Sequence, residues 1–257
     1  MTPIMLRDDS DASWEAWGRE DPYFGVLSSE EFHAGHMDAR AREAFFASGR
    51  EHVATVLASA ARYFAGPPAF GAALDFGCGV GRLVIPLARR FARVTGVDVA
   101  PSMLAEAARN CREAGVENVA FVRSDDDLEG LAGTFDLIHS VIVFQHIPVA
   151  RGERLIARLL DHLAPGGIAA LHVHLHRHAS PARKAIHRLR ARFRPLDAAI
   201  ALAQGERWNR PLIQMNEYDL NRLVVMLHDR GFGEIHLQTR EAGPNVSAFL
   251  FVRRPAA

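Results

Sequence analysis

The sequence predicts an α/β fold built on a doubly wound, mostly parallel sheet, and three observations predict it. Short apolar runs alternate with stretches of helical period between residues 72 and 175, the pattern of strands joined by crossover helices. The first run, "AALDFG" (72–77), leads directly into Gly77, Gly79 and Gly81, a tight strand-to-helix turn. The fourth run, "FDLIHSVIVF" (135–144), is almost continuously hydrophobic, as expected of a strand covered on both faces.

Taken in order, residues 1–37 read as irregular, with aromatics at Trp14, Trp17, Tyr23, Phe24 and Phe32. Asp38 to Phe64 reads as a helix, stopped by Gly66-Pro67-Pro68. After the first strand, Arg82 to Phe91 reads as a helix and "RVTGVDVA" (93–100) as a second strand. A helix opens at Pro101-Ser102 and stops at Gly115. "VAFVRSD" (119–125) is the third strand. Leu155, Ile156, Leu159, Leu160 and Leu163 give a helix one apolar face before Pro165-Gly166-Gly167 ends it. "IAALHVHL" (168–175) is the fifth strand. Residues 176–215 then interrupt the alternation as a helical insertion with a basic middle. An amphipathic helix on Leu220, Leu223, Val224 and Leu227 is closed by Gly231. "EIHLQT" and "SAFLFVRR", joined around Gly243-Pro244, read as a terminal hairpin. The expected organisation is a cap segment (1–70), a core (71–175), the insertion (176–215) and a C-terminal completion of the core (216–257).

Composition excludes several classes. Lysine plus arginine and aspartate plus glutamate each number 30, so no basic excess marks a nucleic-acid binder. No apolar run approaches the roughly 20 residues of a membrane span, and the acidic start lacks the features of a signal peptide. Two cysteines, Cys78 and Cys111, fit a reducing compartment, so the expected location is cytoplasmic. Lys184 is the sole lysine, which reads as a base-composition bias without functional content. Nothing in the sequence marks an oligomeric state.

The glycine turn and the acids at the next strand ends carry the chemistry. Gly77, Gly79 and Gly81 let backbone pass close to a ligand and expose helix amides. A dinucleotide loop needs a small residue where this chain has Arg82, and no Gly-Lys-Ser/Thr is present for a phosphate-binding Walker loop. Asp98 ends the second strand, where a carboxylate accepts both hydroxyls of a ribose. Asp125 ends the third, within reach of an adenine amino group. For each acid alone the lesser alternative is a capping or solvated aspartate; together with the glycines they describe a pocket for an adenosine without a pyrophosphate.

"ALDFGCGVGRL", "VTGVDVAPSML", "VAFVRSD", "FDLIHSVIVFQHIP" and "LLDHLAPGGIAAL" resemble, in order and spacing over residues 72–175, the successive motifs of class I S-adenosylmethionine-dependent methyltransferases. The resemblance implies a Rossmann-like, seven-stranded sheet whose last strand is antiparallel, with S-adenosyl-L-methionine as cofactor and S-adenosyl-L-homocysteine as product. It implies that Asp75 and the loop Gly77, Cys78, Gly79 and Gly81 hold the methionine moiety. Asp98 is then expected on the ribose, Val99 and Met103 beside the adenine, and Asp125 at its amino group with Asp126 nearby. "FFASGREHV" (45–53) resembles an N-terminal helix laid over the cofactor in small-molecule members, which places Arg50 or Arg82 near the methionine carboxylate. The family's Asn/Asp-Pro-Pro-Tyr/Phe motif is missing after the fourth strand, which disfavours amino groups of bases or glutamine as acceptors.

Methyl transfer to a hydroxyl requires alignment, exclusion of water and removal of a proton. His146, just past the fourth strand, is the candidate general base, its alternative being a histidine bonded to local backbone. Gln145 is its candidate partner. The run "LHVHLHRH" (171–178) sets histidines at alternate positions, hence on one strand face. From His172 to His178 spans roughly 20 Å, too far for all four to share one ion; two of them with a distant carboxylate is the lesser metal reading, and no metal site is assigned. His174 and His176, near the ligand end of the strand, are candidate acceptor contacts, together with Trp208 and Tyr218 on the segment "GERWNRPLIQMNEYDL" (205–220).

The insertion carries Arg177, Arg183, Lys184, Arg188, Arg190, Arg192 and Arg194 with no acid before Asp197, while Ile186, Leu189, Phe193 and Leu196 recur at near-helical spacing. Three readings stand: a cap packing its apolar side on the core, a lid favouring an anionic acceptor, or contact with an anionic membrane surface. The acceptor expected overall is a small molecule, methylated at oxygen. The rival readings are a methyltransferase of a protein or lipid-linked glycan, and a non-catalytic cofactor-binding regulator.

Overall fold

The structure, a computed structural model, describes residues 10–180, 182, 185, 186, 189, 190, 193–203 and 213–256. Among these, seven strands form one sheet in the order β3-β2-β1-β4-β5-β7-β6. They are β1 (Ala72–Phe76), β2 (Arg93–Asp98), β3 (Val119–Arg123), β4 (Phe135–Ser140), β5 (Leu163–Arg177), β6 (Ile235–Ala242) and β7 (Asn245–Arg253). The first five are parallel, and β7 enters antiparallel between β5 and β6. The chain order reverses between β1 and β4, which opens a crevice at the carboxyl ends of the strands.

Helices cover both faces. On one lie α6 (Val149–Asp161) and α8 (Leu220–Asp229), whose Leu155, Leu159, Leu160, Leu223 and Leu227 pack on Leu74, Phe76 and Ile138. Each fully buried leucine contributes about 1.5–3 kcal/mol. On the other lie α3 (Ala39–Tyr63) and α4 (Val84–Ala88), which meet Ala73, Leu137, Ala170 and Phe251 through Val53, Val56, Leu57 and Leu87. The Asp38 carboxylate caps α3 by accepting from Ala41 N at 2.7 Å, and Pro101 opens α5 (Pro101–Glu113). Helix α7 (Arg194–Ala203) is the described part of the insertion's end.

Four boundaries differ from the sequence reading. Residues 10–32 are mostly helical, with α1 (Ser10–Glu20), α2 (Pro22–Val26) and a 3₁₀ turn at Glu30–Phe32. These short helices are held by tertiary contacts: the Glu15 carboxylate accepts from Ser102 N and Oγ at 3.1 and 2.9 Å. Tyr23, Phe32, Phe45 and Met103 form a small core beneath them. The helix expected over 82–91 is confined to Val84–Ala88. Strand β4 stops at Ser140, because Ile142 takes a left-handed conformation with φ +61 and Phe144–His146 forms a 3₁₀ turn. Strand β5 begins five residues early, at Leu163, where it pairs with Phe135.

Candidate active site

Where β1 ends, the chain turns through Gly77, Gly79 and Gly81. Gly77 and Cys78 donate to Val97 O at 2.7 and 2.9 Å, tying the loop to the end of β2. Gly77 and Gly79 have φ of +72 and +51, which favours glycine. A Cβ on Gly77 would sit 2.2 Å from Val143 Cγ2, and one on Gly79 2.5 Å from Val26 Cγ2. The loop is thus clamped between the segment after β4 and helix α2.

Above it lies a cavity of about 720 Å³, counting its open mouth. Its floor is Phe76, Gly77 and Gly79, and one wall is Asp98, Val99, Met103 and Ser124. The opposite wall is Val141, Val143, His146 and Ile147, with Arg151 and Leu155 from α6. Ser10, Asp11 and Trp14 of α1 and Gly25 and Val26 of α2 roof it. Size and mostly apolar lining are those of a small-molecule site.

Asp98 receives Gly79 N on Oδ2 at 2.8 Å and Ala100 N on Oδ1 at 3.0 Å. Burial pushes its carboxyl up to about 6, against the opposing pull of these amide donors.

His146 is buried beside Trp14, with ring centroids 5.1 Å apart. Its Nδ1 lies 2.7 Å from Gln214 O. A carbonyl only accepts, so Nδ1 carries the proton and Nε2 keeps its lone pair. Burial lowers the imidazole to about 4, which leaves it neutral near pH 7. The peptide after the insertion secures this turn: Asn216 donates to Gln145 O from its N at 2.7 Å and its Nδ2 at 3.1 Å, and Tyr218 Oη donates to Ile147 O at 3.1 Å.

The roof is latched by Arg151. Its guanidinium grips Asp11 of α1 through two contacts of 2.6 and 2.9 Å and holds Asp126 at 2.6 Å.

The structure brings Gly77, Gly79, Asp98, Val99, Met103 and His146 to one cavity and places the other expected residues elsewhere. Asp75 does not line it. As an alternate residue of buried β1, its side chain faces α3, where Oδ1 meets His139 Nδ1 at 2.9 Å and Oδ2 is buried without a hydrogen-bond partner. His139 Nε2 in turn lies 3.0 Å from His52 Nε2 of α3. Cys78 is buried under Gly96, and Gly81 backs onto Ala107. Asp125 closes its own turn by accepting from Asp127 N and Glu129 N at 3.0 and 3.2 Å, which leaves Ser124 at the wall. Asp126 reaches the cavity only through Arg151.

The residues expected on the acceptor side are spread similarly, with His174 near enough to His146 to act on it electrostatically. Gln145 turns its amide toward Met215 Sδ at 3.7 Å. His174 is buried on the α3 face of β5, and its carbonyl accepts from Tyr218 N. A register shift between His174 and His176 breaks the alternation, so His176 is exposed beside His178, centroids 4.9 Å apart. Tyr218 packs under the 147 turn against Gly152, where burial drives its phenol upward. Trp208 lies outside the described residues. Among those residues, no group of three or more His, Cys, Asp or Glu is arranged to hold a metal ion. Arg82 is buried, donating to Ser48 Oγ at 3.2 Å, whereas Arg50 pairs with Glu43 at 2.5 Å. The sequence reading missed Asp11, Trp14, Val26 and Arg151; two tryptophans within a polar terminal stretch are the signal that marks the roof.

Comparison with known proteins accords with this geometry. Residues 73–167 match the family model described as a methyltransferase domain. The trans-aconitate 2-methyltransferase of Deinococcus radiodurans is 40% identical over 111 residues, which cover 42% of this chain and 40% of that protein. A ubiquinone biosynthesis O-methyltransferase of Methylocella silvestris is 38% identical over 96 residues, 37% of this chain and 36% of that one. The matches thus span less than half the length of these curated relatives. The magnesium protoporphyrin IX methyltransferase of Synechocystis PCC 6803, solved with bound SAH, superposes over 96% of this chain and 97% of its own with a TM-score of 0.58. At 20% identity that is a likeness of fold.

Proposed function

Residues 73–167 form a methyltransferase domain of the class I, S-adenosylmethionine-dependent family, and from that premise we propose that the protein transfers a methyl group from S-adenosyl-L-methionine to a hydroxyl of a small molecule. The observation that carries this reading is the convergence of the glycine loop, Asp98 and the neutral His146 on one cavity. The glycine loop, Asp98, Val99, Met103 and Ser124 would hold the cofactor, with the Asp98 carboxylate accepting from the ribose hydroxyls. The cavity lining fits that group, with apolar Val99 and Met103 for an adenine ring beside the Asp98 carboxylate. Bound there, the cofactor supplies an electrophilic sulfonium methyl.

This chain's residues supply the rest. His146 Nε2 takes the acceptor's proton as its oxygen attacks, and the Gln214 carbonyl steadies the imidazolium that results. Trp14, Val26 and the Arg151–Asp11 latch exclude water, which would otherwise compete as an acceptor and weaken the alignment. The relatives named for O-methylation support oxygen as the target. Within this reading the described residues of the segment 1–70 supply the roof, and those of 71–175 and 216–257 the core.

The test is incubation with methyl-labelled S-adenosylmethionine and a panel of hydroxylated acids, phenols and lipids. Label in an ether-stable methoxy group, absent with His146→Ala, supports the proposal. Label in protein, or none with any acceptor while the cofactor still binds, would favour the protein-methylating or regulatory alternatives.

A further inference from the structure

His172 opens the histidine row on β5 and does not itself line the cavity. It is buried against Phe249, its neighbour across the β5–β7 pair, with ring centroids 5.0 Å apart. Its Nδ1 lies 3.4 Å from Ile142 N, just beyond the end of β4. A main-chain amide only donates, so Nδ1 is the acceptor and the ring proton sits on Nε2. Burial, with His174, His139, Arg240 and His146 nearby, lowers the imidazole to about 4, so the lone pair stays free near neutral pH.

The residue it holds is a strained one. Ile142 has φ +61, and a β-branched residue is out of place in the left-handed region. Such a conformation persists only where its surroundings impose it. Its neighbours show what the strain achieves. In a strand, residues two apart share a face, yet Val141 packs with the cluster under α3 and α4 while Val143 packs with the cluster under α6 and α8. Both nevertheless line the cavity. The reversal at Ile142 also seats Val143 against Gly77, in the space a Cβ would need, and leads into the 3₁₀ turn that carries His146.

We propose that His172 is a positioning residue for the cofactor cavity: its Nδ1 holds the left-handed turn at Ile142, and that turn sets Val141 and Val143 into the wall. Without the acceptor, the Ile142 amide loses this partner and the turn relaxes toward extended backbone. Both valines then shift from the positions that shape the wall. The effect on affinity rests on the cavity holding the methyl donor; the hold on Ile142 is measured apart from it.

The experiment compares full-chain variants by calorimetry with S-adenosylhomocysteine and by amide hydrogen exchange at Ile142, followed by NMR. His172→Phe keeps a ring packed on Phe249 and removes the acceptor. It should weaken binding about fivefold, the worth of one hydrogen bond, and speed exchange at Ile142 by a similar factor. His172→Asn sets Oδ1 where Nδ1 stands, and should bind within about twofold of the parent protein. Ile142→Gly adopts the turn without strain, so His172→Phe made in that background should cost less than about twofold. A merely structural histidine would show neither the rescue nor the relief. Should His172→Phe not fold, His172→Gln, whose amide cannot stand where Nδ1 does, takes its place. Parent-like binding and exchange in His172→Phe, binding by His172→Asn as weak as by His172→Phe, or the full loss in the Ile142→Gly background overturns the proposal. If the parent protein binds no S-adenosylhomocysteine, the cofactor assignment falls and the exchange rates still decide. Exchange faster in His172→Phe than in the parent and His172→Asn supports the hold, and equal rates overturn it.

Discussion

The Nδ1 atom of His146 lies 2.7 Å from the main-chain oxygen of Gln214, although 68 positions separate the two residues. The contact fixes one tautomer of a buried imidazole and leaves Nε2 with its lone pair, the base of the proposed reaction. It also ties that base to the peptide that closes the insertion. Several outcomes depend on it.

His146→Ala should abolish turnover while leaving S-adenosylhomocysteine affinity within about twofold, since no proton transfer occurs on binding. Because burial lowers the imidazole to about 4, its neutral, active form is complete well above that value. The kcat profile should therefore be flat around neutrality and fall only as pH drops toward 4. Asn216→Ala removes the Nδ2 bond to Gln145 O; by loosening the turn and admitting water it should move that acid limb upward. A limb near the usual histidine value in the parent protein would contradict the burial argument.

The shift at Asp98 is upward where that of His146 is downward, yet its function too is lost on the acid side. Its carboxyl is raised to about 6, so the charged acceptor of ribose hydroxyls is lost as pH falls through that value. Affinity for S-adenosylhomocysteine should hold steady above about pH 6 and weaken up to tenfold per pH unit below it. Asp98→Asn should bind weakly at every pH, without the inflection. Tryptophan fluorescence titrations across pH would report both.

Arg151 bridges α1 and α6 through Asp11. The Asp11 side chain is 39% exposed, so the pair contributes within about 1 kcal/mol to global stability. Its effect should appear in gating: Asp11→Asn should speed S-adenosylhomocysteine release severalfold in stopped-flow experiments with little change in Tm. An unchanged release rate would mean that α1 does not gate the cavity.

Gly49 lets α3 approach the glycine turn. A Cβ there would meet Arg82 O at 2.4 Å and Arg82 Cγ at 3.0 Å, a contact with backbone that cannot yield cheaply. Gly49→Ala should destabilise the fold by about 1–3 kcal/mol in urea denaturation, despite alanine's better helix propensity. A gain in stability would show that α3 can shift.

The parallel sheet and the glycine turn were legible in the sequence because apolar runs such as "AALDF" report burial locally. The place of Asp98 on the cavity wall was legible because it stands at a strand end beside the glycine turn. Asp75 misled, since its side depends on which neighbour of β1 faces α3, and His139 lies 64 positions away. Asp125 and Asp126 satisfy their charge on a turn and on Arg151, partners that spacing alone does not reveal. The roof was hidden for the same reason: α1 and α2 are short, and contacts such as Glu15 with Ser102, 87 positions apart, hold them in place. The histidine row broke at the irregularity after His174, which a strict period of two does not foresee.

The central claim is that the cavity above the glycine turn binds the methyl donor through Asp98. Its most direct test is calorimetric titration of the full chain with S-adenosylhomocysteine, beside Asp98→Ala. Saturable binding at one site per chain, lost or weakened at least a hundredfold in the variant, is the predicted result. No heat of binding in the parent protein, or equal affinity in Asp98→Ala, would contradict it.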